Sequence, residues 1–248
     1  MNVLNTHLTK KNTFNIMRRN LILGFVFASF SLCLTAQGKF DLHVGGSFAT
    51  GDFKSNDSET GGAASTGLEI GLKYLFPLSA CDGLSLTGGI DWHYNGVNQI
   101  VKDELRLLAT ASGYTNLSVD YFSYINVPVL VGLNYELPIN KTLGVFGDAG
   151  MGFNYSKVTD LTMRFSYEGI NAKTIESFDP KFKMAFQVGG GLSILKQYTI
   201  GLHYNMLGSY DYNGKITNSA GGQSQTIDNP SATKVKVNIL NLTVGIRY

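Results

Sequence analysis

Apolar and polar residues alternate one by one along several stretches of this chain, most clearly in the last one. Every second residue from Leu240 to Tyr248 is apolar, and Asn241, Thr243, Gly245 and Arg247 lie between them. A period of two places apolar side chains on one face of a β-strand and polar side chains on the other. The stretch therefore predicts a strand with one apolar and one polar face.

The same alternation recurs in seven earlier stretches, and the connections between them alternate in length. The short connections cover residues 77–83, 136–142 and the few residues around Lys196. The long connections cover residues 49–67, 96–118, 156–181 and 207–234. The seven earlier strands are predicted near residues 40–48, 68–76, 84–94, 121–135, 143–155, 182–194 and 198–206.

The number of strands and the lengths of their connections indicate an architecture. Outer-membrane barrels have an even number of antiparallel strands, short periplasmic turns and longer extracellular loops. The sequence therefore predicts an all-β fold, a transmembrane antiparallel up-and-down β-barrel of eight strands. In the second long connection, Val101–Ala111 mixes leucines with charged residues and predicts a short helix. We also expect a slip of the alternation near Ile239.

Alternation alone leaves open which face of the barrel is apolar, since a soluble barrel points its apolar face inward. The polar positions are mostly small, and Lys and Glu are too few for a soluble exterior. Aromatic residues near both strand ends match the interfacial girdles of membrane barrels. We therefore predict an apolar exterior in contact with outer-membrane lipid. The girdle residues are Phe40, Tyr74, Phe76, Tyr135, Tyr198 and Tyr248 on the turn side and Phe48, Trp92, Tyr94, Tyr121, Phe153, Tyr155, Phe182 and Tyr204 on the loop side.

Charged residues at the polar positions would face the interior of such a barrel. An eight-stranded barrel is just wide enough for side chains to fill it, and buried charges need partners of opposite charge. We therefore predict a polar network that plugs the lumen and leaves no open pore. The predicted network comprises Asp41, His43, Glu69, Lys73, Asp91, His93, Asp148, Lys183, His203 and Arg247.

The inward histidines and carboxylates also allow a metal or acid–base site as an alternative. They come from different strands, and none of them forms an HxxH or HExxH spacing. We therefore predict a structural network with no catalytic residue, no metal site and no cofactor. Ser123 is an outward polar residue in a strand, as a lipid-modifying enzyme would need, but no histidine accompanies it on that face.

The N-terminal segment has the order of a secretory signal peptide. A short basic stretch at 17–20 precedes an apolar run from Leu21 to Leu34, and a small residue, Ala36, follows. A membrane-spanning helix would need roughly 20 apolar residues. We expect residues 1–36 to be a signal peptide cleaved after Ala36, with Met17 as an alternative start, and residues 37–248 to form the barrel.

Removing this segment changes the charge of the chain. The segment holds Lys10, Lys11, Arg18 and Arg19 and no acidic residue, so the net charge changes from +2 to −2. Only Cys81 then remains of the two cysteines, which excludes an intramolecular disulfide. No basic patch is left to indicate a nucleic-acid partner.

The mature chain resembles the PorT-like outer-membrane β-barrels of the Bacteroidetes. The resemblance is carried by the signal ending at 35–37, by the segment Tyr124–Leu130 with its Pro128, and by the glycine-rich strands that end on Tyr248. A terminal aromatic residue resembles the signal that the barrel-assembly machinery reads in outer-membrane barrels. The resemblance implies an exported protein of the cell outer membrane.

Three functions are compatible with these features. The first is a non-enzymatic integral barrel that is structural or binds an envelope protein partner through its long extracellular loops. The second is a component of a gliding-associated secretion system, like the member that gives the family its name. The third is a lipid A-modifying hydrolase. Fold alone does not decide among them, and we favour the first.

Overall fold

The computed structural model of the chain describes residues 38–57, 61–78, 81–167, 169–230 and 234–248, so the predicted signal peptide lies outside the described residues. The described chain contains thirteen strands, a short 3₁₀ turn at Gly51–Phe53 and one α-helix, α1 (Gln99–Ala111). The strands are β1 (Lys39–Thr50), β2 (Ala64–Pro77), β3 (Leu84–Val97), β4 (Thr115–Asp120), β5 (Ser123–Pro138), β6 (Leu143–Val158), β7 (Leu161–Tyr167), β8 (Ile170–Phe178), β9 (Lys181–Ile194), β10 (Tyr198–Asp211), β11 (Gly214–Ala220), β12 (Gln223–Asn229) and β13 (Lys234–Arg247).

Eight of the strands form a closed barrel in the order β1-β13-β10-β9-β6-β5-β3-β2. The first and last strands pair antiparallel from Asp41 opposite Arg247 to Thr50 opposite Asn238. Two backbone hydrogen bonds of 2.9 Å between Phe40 and Tyr248 complete this seam. Closure pairs the strand edges, as a hydrocarbon environment requires. The predicted eight-stranded antiparallel barrel is confirmed.

The exterior of the barrel is apolar, as the alternation and the aromatic girdles predicted. In β13, Leu242 and Val244 are 52 % and 57 % exposed, whereas Asn241, Thr243 and Arg247 are buried. The other barrel strands show the same division between an exposed apolar face and an inward face. An apolar surface that encircles a whole barrel requires a lipid environment, because soluble proteins rarely expose such large apolar areas.

The remaining five strands form a second sheet, in the order β12-β11-β8-β7-β4, which we name the loop-end sheet. They lie in three of the predicted long connections, which therefore contain regular strands. Each strand is separated by only a few residues from a barrel strand or from its neighbour in the sheet; β7, for example, begins three residues after β6 ends. Their pairing satisfies backbone groups that irregular loops would leave to water.

The helix predicted in the second long connection is confirmed as α1. The side chain of Asn98 accepts a hydrogen bond from the backbone N–H of Val101 at 3.2 Å and caps the first turn. Among the described residues, the structure has no helix with the length and hydropathy to cross a membrane.

The expected slip near Ile239 is wrong. The alternation in β13 continues without interruption, and Val235, Val237 and Ile239 lie on the same inward face as Asn241. The interior itself changes from polar to apolar towards the loop end. We name this apolar cluster the loop-end core; its members are Ala49, Phe53, Ala64, Tyr124, Leu130, Val158, Ala185, Leu207, Tyr210, Tyr212, Val235, Val237 and Ile239.

The loop-end core should contribute strongly to stability. Ile239 is fully buried, and truncating such a side chain to alanine typically costs about 2–5 kcal/mol. We expect Ile239→Ala to lower the free energy of unfolding in urea by that amount. Ile227→Ala is the matched control because Ile227 is 47 % exposed on the loop-end sheet. Equal effects of the two variants would contradict the assignment of Ile239 to a packed core.

Candidate functional site

Two regions of the described chain could carry a function: the polar lumen and the loop-end sheet. The barrel brings nine of the ten predicted lumen residues into its interior, where eight are buried and Lys73 is partly buried. They come from six barrel strands, and their proximity depends on the strand register. The nine are Asp41, His43, Glu69, Lys73, Asp91, His93, Asp148, His203 and Arg247.

At the turn end of the lumen, Arg247 joins two carboxylates. Its Nε donates to Asp41 Oδ2 at 2.7 Å, and its Nη1 donates to Glu136 Oε2 at 2.9 Å. The other oxygen of Glu136 accepts a hydrogen bond of 2.6 Å from the Ser193 hydroxyl. The guanidinium carbon also lies 4.9 Å from the centre of the Phe146 ring. Arg247 therefore closes the turn end of the barrel with charge-assisted hydrogen bonds.

In the middle of the lumen, Lys73 and Asp148 form a second pair. Lys73 Nζ lies 2.8 Å from Asp148 Oδ2, and His203 Nε2 lies 3.3 Å from the same oxygen. The amide of Gln187 accepts from Lys73 at 3.4 Å and donates to Asp91 Oδ2 at 3.3 Å. The Gln187 amide therefore links the Lys73–Asp148 ion pair to the carboxylate of Asp91.

The third group in the lumen is a histidine between carboxylates. His43 Nδ1 lies 3.4 Å from Asp41 Oδ1. His43 Nε2, on the other side of the ring, lies 3.3 Å from Asp91 Oδ1 and 3.7 Å from Glu69 Oε1. We name His43, Glu69 and Asp91 the lumen trio. All three are buried, and their potential ligand atoms lie within 4.8 Å of one another.

Towards the loop end the charged groups give way to amides. The side chain of Asn154 donates to Asn126 at 2.9 Å and to the hydroxyl of Tyr210 at 2.8 Å. Asn95 accepts a hydrogen bond from Ser47 at 3.1 Å. The amide layer lies below the loop-end core, so both ends of the lumen are filled by side chains. Cavities bordering the central network hold only about 10 Å³ each, about the space that one water molecule needs.

Lys183 is the exception among the predicted lumen residues, and its placement there is corrected. It lies third from the start of β9, opposite Asn154 in β6, and its side chain is exposed. The alternation assigns Lys183 to the inward face, but this position lies at the loop end, where the long side chain can reach water.

Sequence reasoning also missed several members of the network. Glu136 follows the predicted end of its strand, and Gln187 and Phe146 carry no charge that would have marked them. The asparagines of the amide layer lie at inward positions of their strands. The alternation of apolar and polar residues could therefore have predicted them as lumen residues. Ser123, predicted to be an exposed serine on the outward face, is buried instead, and its hydroxyl lies 2.9 Å from the hydroxyl of Tyr94.

The loop-end sheet contains a groove of about 580 Å³ that is lined by both apolar and polar groups. The walls are formed by β7, by β8 and by the turn between β11 and β12. Arg164 and Lys173 contribute positive charge, and Arg164 Nη1 donates to Asp120 Oδ2 at 2.7 Å. The groove is lined by Asn116, Arg164, Phe165, Ser166, Asn171, Ala172, Lys173, Ser219, Ala220, Gly221, Gly222, Gln223 and Ser224.

One acidic residue of the loop-end sheet is partly shielded from water. Burial raises the pKa of Glu176, whereas a hydrogen bond of 2.5 Å from the Asn229 amide opposes this shift. This bond joins β8 to β12 across the intervening β11. It adds a side-chain link to the backbone pairing that holds β12 against β11.

Comparison with known proteins gives low similarity to several solved outer-membrane barrels. A major outer membrane protein from Thermus thermophilus is 10 % identical, with 85 % of this chain and 99 % of that chain covered and a TM-score of 0.49. Neisserial surface protein A is 9 % identical, with 85 % and 95 % covered and a TM-score of 0.40. The attachment invasion locus protein Ail of Yersinia pestis is 15 % identical, with 85 % and 99 % covered and a TM-score of 0.37. A search of curated proteins finds no match.

A family model gives the decisive comparison. The model of the outer membrane protein beta-barrel domain matches residues 22–248, which is nearly the whole chain. The closed eight-stranded barrel and its apolar exterior agree with this match. The protein is thus located in the outer membrane, and the chain belongs to the outer membrane protein beta-barrel domain family.

Proposed function

We propose that this protein is a non-enzymatic outer-membrane barrel that binds a partner through its loop-end sheet. The observation that carries the proposal is the groove in an ordered sheet at the loop end of the barrel, with Arg164 and Lys173 in its lining. Ordered strands present hydrogen-bonding groups in fixed positions, which lowers the entropy that binding must overcome.

Side chains fill the lumen at both ends, which favours a function at the outer surface of the protein over one inside the barrel. Arg247 and its carboxylates fill the turn end, and the loop-end core fills the other end. Two cavities that border the central network in the described part of the chain hold about 10 Å³ each, which is too small for a solute other than water. A filled lumen favours a structural or binding role over transport through the barrel.

The geometry around Ser123 supports a non-enzymatic role. A serine nucleophile needs an adjacent general base within hydrogen-bond reach. The Ser123 hydroxyl instead contacts the hydroxyl of Tyr94, which is neither an imidazole nor a carboxylate. The Ser123 backbone N–H is taken by the hydroxyl of Thr159 at 2.8 Å. We therefore favour binding over lipid hydrolysis.

The chemistry of the groove indicates the kind of group that it would bind. Two cationic side chains, Arg164 and Lys173, lie among amides and hydroxyls, and Asn171 is exposed beside them. Such a lining suits a partner surface that carries acidic and hydrogen-bonding groups. The partner we propose is an envelope protein with an acidic contact surface.

Photo-crosslinking in intact cells tests this proposal. A photoreactive residue in place of Asn171 should give a discrete adduct with a partner protein, and the same residue in place of Lys141 is the control. Lys141 is exposed in the short turn between β5 and β6, at the opposite end of the barrel. Charge reversal by Arg164→Glu together with Lys173→Glu should abolish the Asn171 adduct. Absence of an adduct at Asn171, or equal adducts at both positions, would contradict a binding groove.

The PorT-like resemblance remains a finer prediction within the family. The segment that carries it, Tyr124–Leu130, lies in β5, where Tyr124 donates to the carbonyl of Gly62 at 2.6 Å and joins the loop-end core. The proteins crosslinked at Asn171 would distinguish a general partner-binding barrel from a component of a gliding-associated secretion system. Secretion-apparatus proteins among them would support the gliding-associated secretion role.

A further inference from the structure

We propose that the lumen trio, His43, Glu69 and Asp91, is a binding site for a divalent transition-metal ion such as Zn²⁺. The three side chains come from β1, β2 and β3, and register rather than sequence spacing brings them together. Their ligand atoms lie within 4.8 Å of one another in a buried region. Imidazole nitrogen and carboxylate oxygen are both common zinc ligands.

The distances within the trio fit shared coordination. With metal bonds of about 2.0–2.2 Å, two ligands of a tetrahedral site lie roughly 3.3–3.6 Å apart. His43 Nε2 lies 3.3 Å from Asp91 Oδ1 and 3.7 Å from Glu69 Oε1. Small side-chain movements would place all three atoms around one ion.

The surroundings of His43 resemble those of a metal-bound histidine. Such a histidine usually donates its second ring N–H to a carboxylate, which fixes its tautomer and orientation. His43 Nδ1 lies 3.4 Å from Asp41 Oδ1, and Arg247 holds the other oxygen of Asp41 at 2.7 Å. His43 Nε2 is thereby directed at Glu69 and Asp91.

Buried polar atoms without partners give a second, independent indication of a ligand. Glu69 Oε2, Asp91 Oδ1 and His93 Nε2 are among several buried side-chain atoms of the described residues that have no hydrogen-bond partner. Glu69 is only 1 % exposed and His93 is fully buried, and the two residues are directly paired across β2 and β3. Unsatisfied buried polar groups are costly, and a metal ion would satisfy the two carboxylates.

The charges of the lumen agree with a bound cation. The buried carboxylates of Asp41, Glu69, Asp91 and Asp148 are accompanied by the cations Lys73 and Arg247. Glu136, the second carboxylate that Arg247 binds, adds a further negative charge, so the acidic groups outnumber these two cations in the lumen. Buried charge needs compensation.

Gly71 leaves the space in which the trio converges. It is paired with His43 on one side and with Asp91 on the other. A Cβ added to Gly71 would clash with both Asp91 Oδ1 and His43 Nε2. Gly71→Ala therefore offers a way to perturb the site without changing any ligand.

The experiment is zinc retention by the barrel refolded in detergent. Because the lumen cavities are small and enclosed by side chains, zinc should be present during refolding. A Cys81→Ser background removes the exposed thiol as a competing ligand. After gel filtration through chelator, we expect about one zinc ion per chain. Tetrahedral Co²⁺ should give the visible absorption bands typical of that geometry.

Two variants and a control locate the ion. Glu69→Gln and Gly71→Ala should each reduce retained zinc at least about tenfold, as loss of support at metal sites does. Glu136→Gln should retain it, since Glu136 is an acid at the turn end outside the trio. Heat-modifiability on gels reports folding of every variant. If a variant does not fold, the visible spectrum of Co²⁺ in the folded Cys81→Ser barrel still tests the site.

Two results would overturn the proposal. One is a folded Cys81→Ser barrel that retains no zinc and gives no Co²⁺ spectrum. The other is zinc retention by the folded Glu69→Gln and Gly71→Ala variants that equals retention by the Cys81→Ser barrel. That result would place the ion elsewhere on the chain.

Discussion

Arg247→Ala is expected to lower the free energy of unfolding by about 3–5 kcal/mol, the range found when one partner of a buried ion pair is removed. The substitution leaves Asp41 buried without its 2.7 Å partner and removes the 2.9 Å bond to Glu136. It also removes the contact with the Phe146 ring. Urea unfolding in detergent micelles, followed by the fluorescence of Trp92, gives the measurement.

The exposed pair of Arg164 and Asp120 is the control for this effect. Its ions are also 2.7 Å apart, but their side chains are 50 % and 63 % exposed. Exposed pairs contribute about 0–1 kcal/mol, so Arg164→Ala should have a correspondingly small effect. Similar losses in the two variants would show that burial of Arg247 does not determine its contribution.

Val244→Arg should destabilise the barrel by about 2–4 kcal/mol, as a charge on the lipid face does near the middle of the bilayer. Val244 is 57 % exposed on the barrel exterior, where it is paired with Val44 of β1. The arginine would have to reach an interface or distort the surrounding lipid. Urea unfolding in lipid vesicles, again monitored through Trp92, measures the change.

Ile227→Arg is the matched control for the lipid face. Ile227 is 47 % exposed, but it belongs to the loop-end sheet outside the barrel. A surface substitution in water usually changes stability by less than about 0.5 kcal/mol. If both arginines were equally tolerated, Val244 would not face lipid, and the assigned orientation of the barrel would be wrong.

The alternation predicted most of the barrel because side-chain direction in a strand depends only on a period of two. Leu242 and Val244 lie outside, Arg247 lies inside, and eight strands close the barrel. The same rule failed for Lys183, since it gives the face of a residue but not its height along the barrel. The signal peptide remains a prediction because residues 1–36 lie outside the described part of the chain.

The loop-end sheet was not predicted, for a different reason. Its strands are rich in Ser, Thr and Asn, and β12 is exposed over residues 223–228, so they lack a clear division into apolar and polar faces. Their order comes from hydrogen bonds between strands, such as those that pair Gly214–Ala220 with its neighbours on both sides. Composition alone therefore indicated loops.

By itself, the sequence determined the eight barrel strands, their two faces and the outer-membrane location, because each follows from periodicity along one chain segment. Only the tertiary structure decided which inward side chains meet. His43, Glu69 and Asp91 are far apart in sequence, and the pairing of β1, β2 and β3 brings them together above Gly71. The physical reason is that the register between strands depends on the whole closed barrel, whereas the direction of a side chain depends only on its own strand.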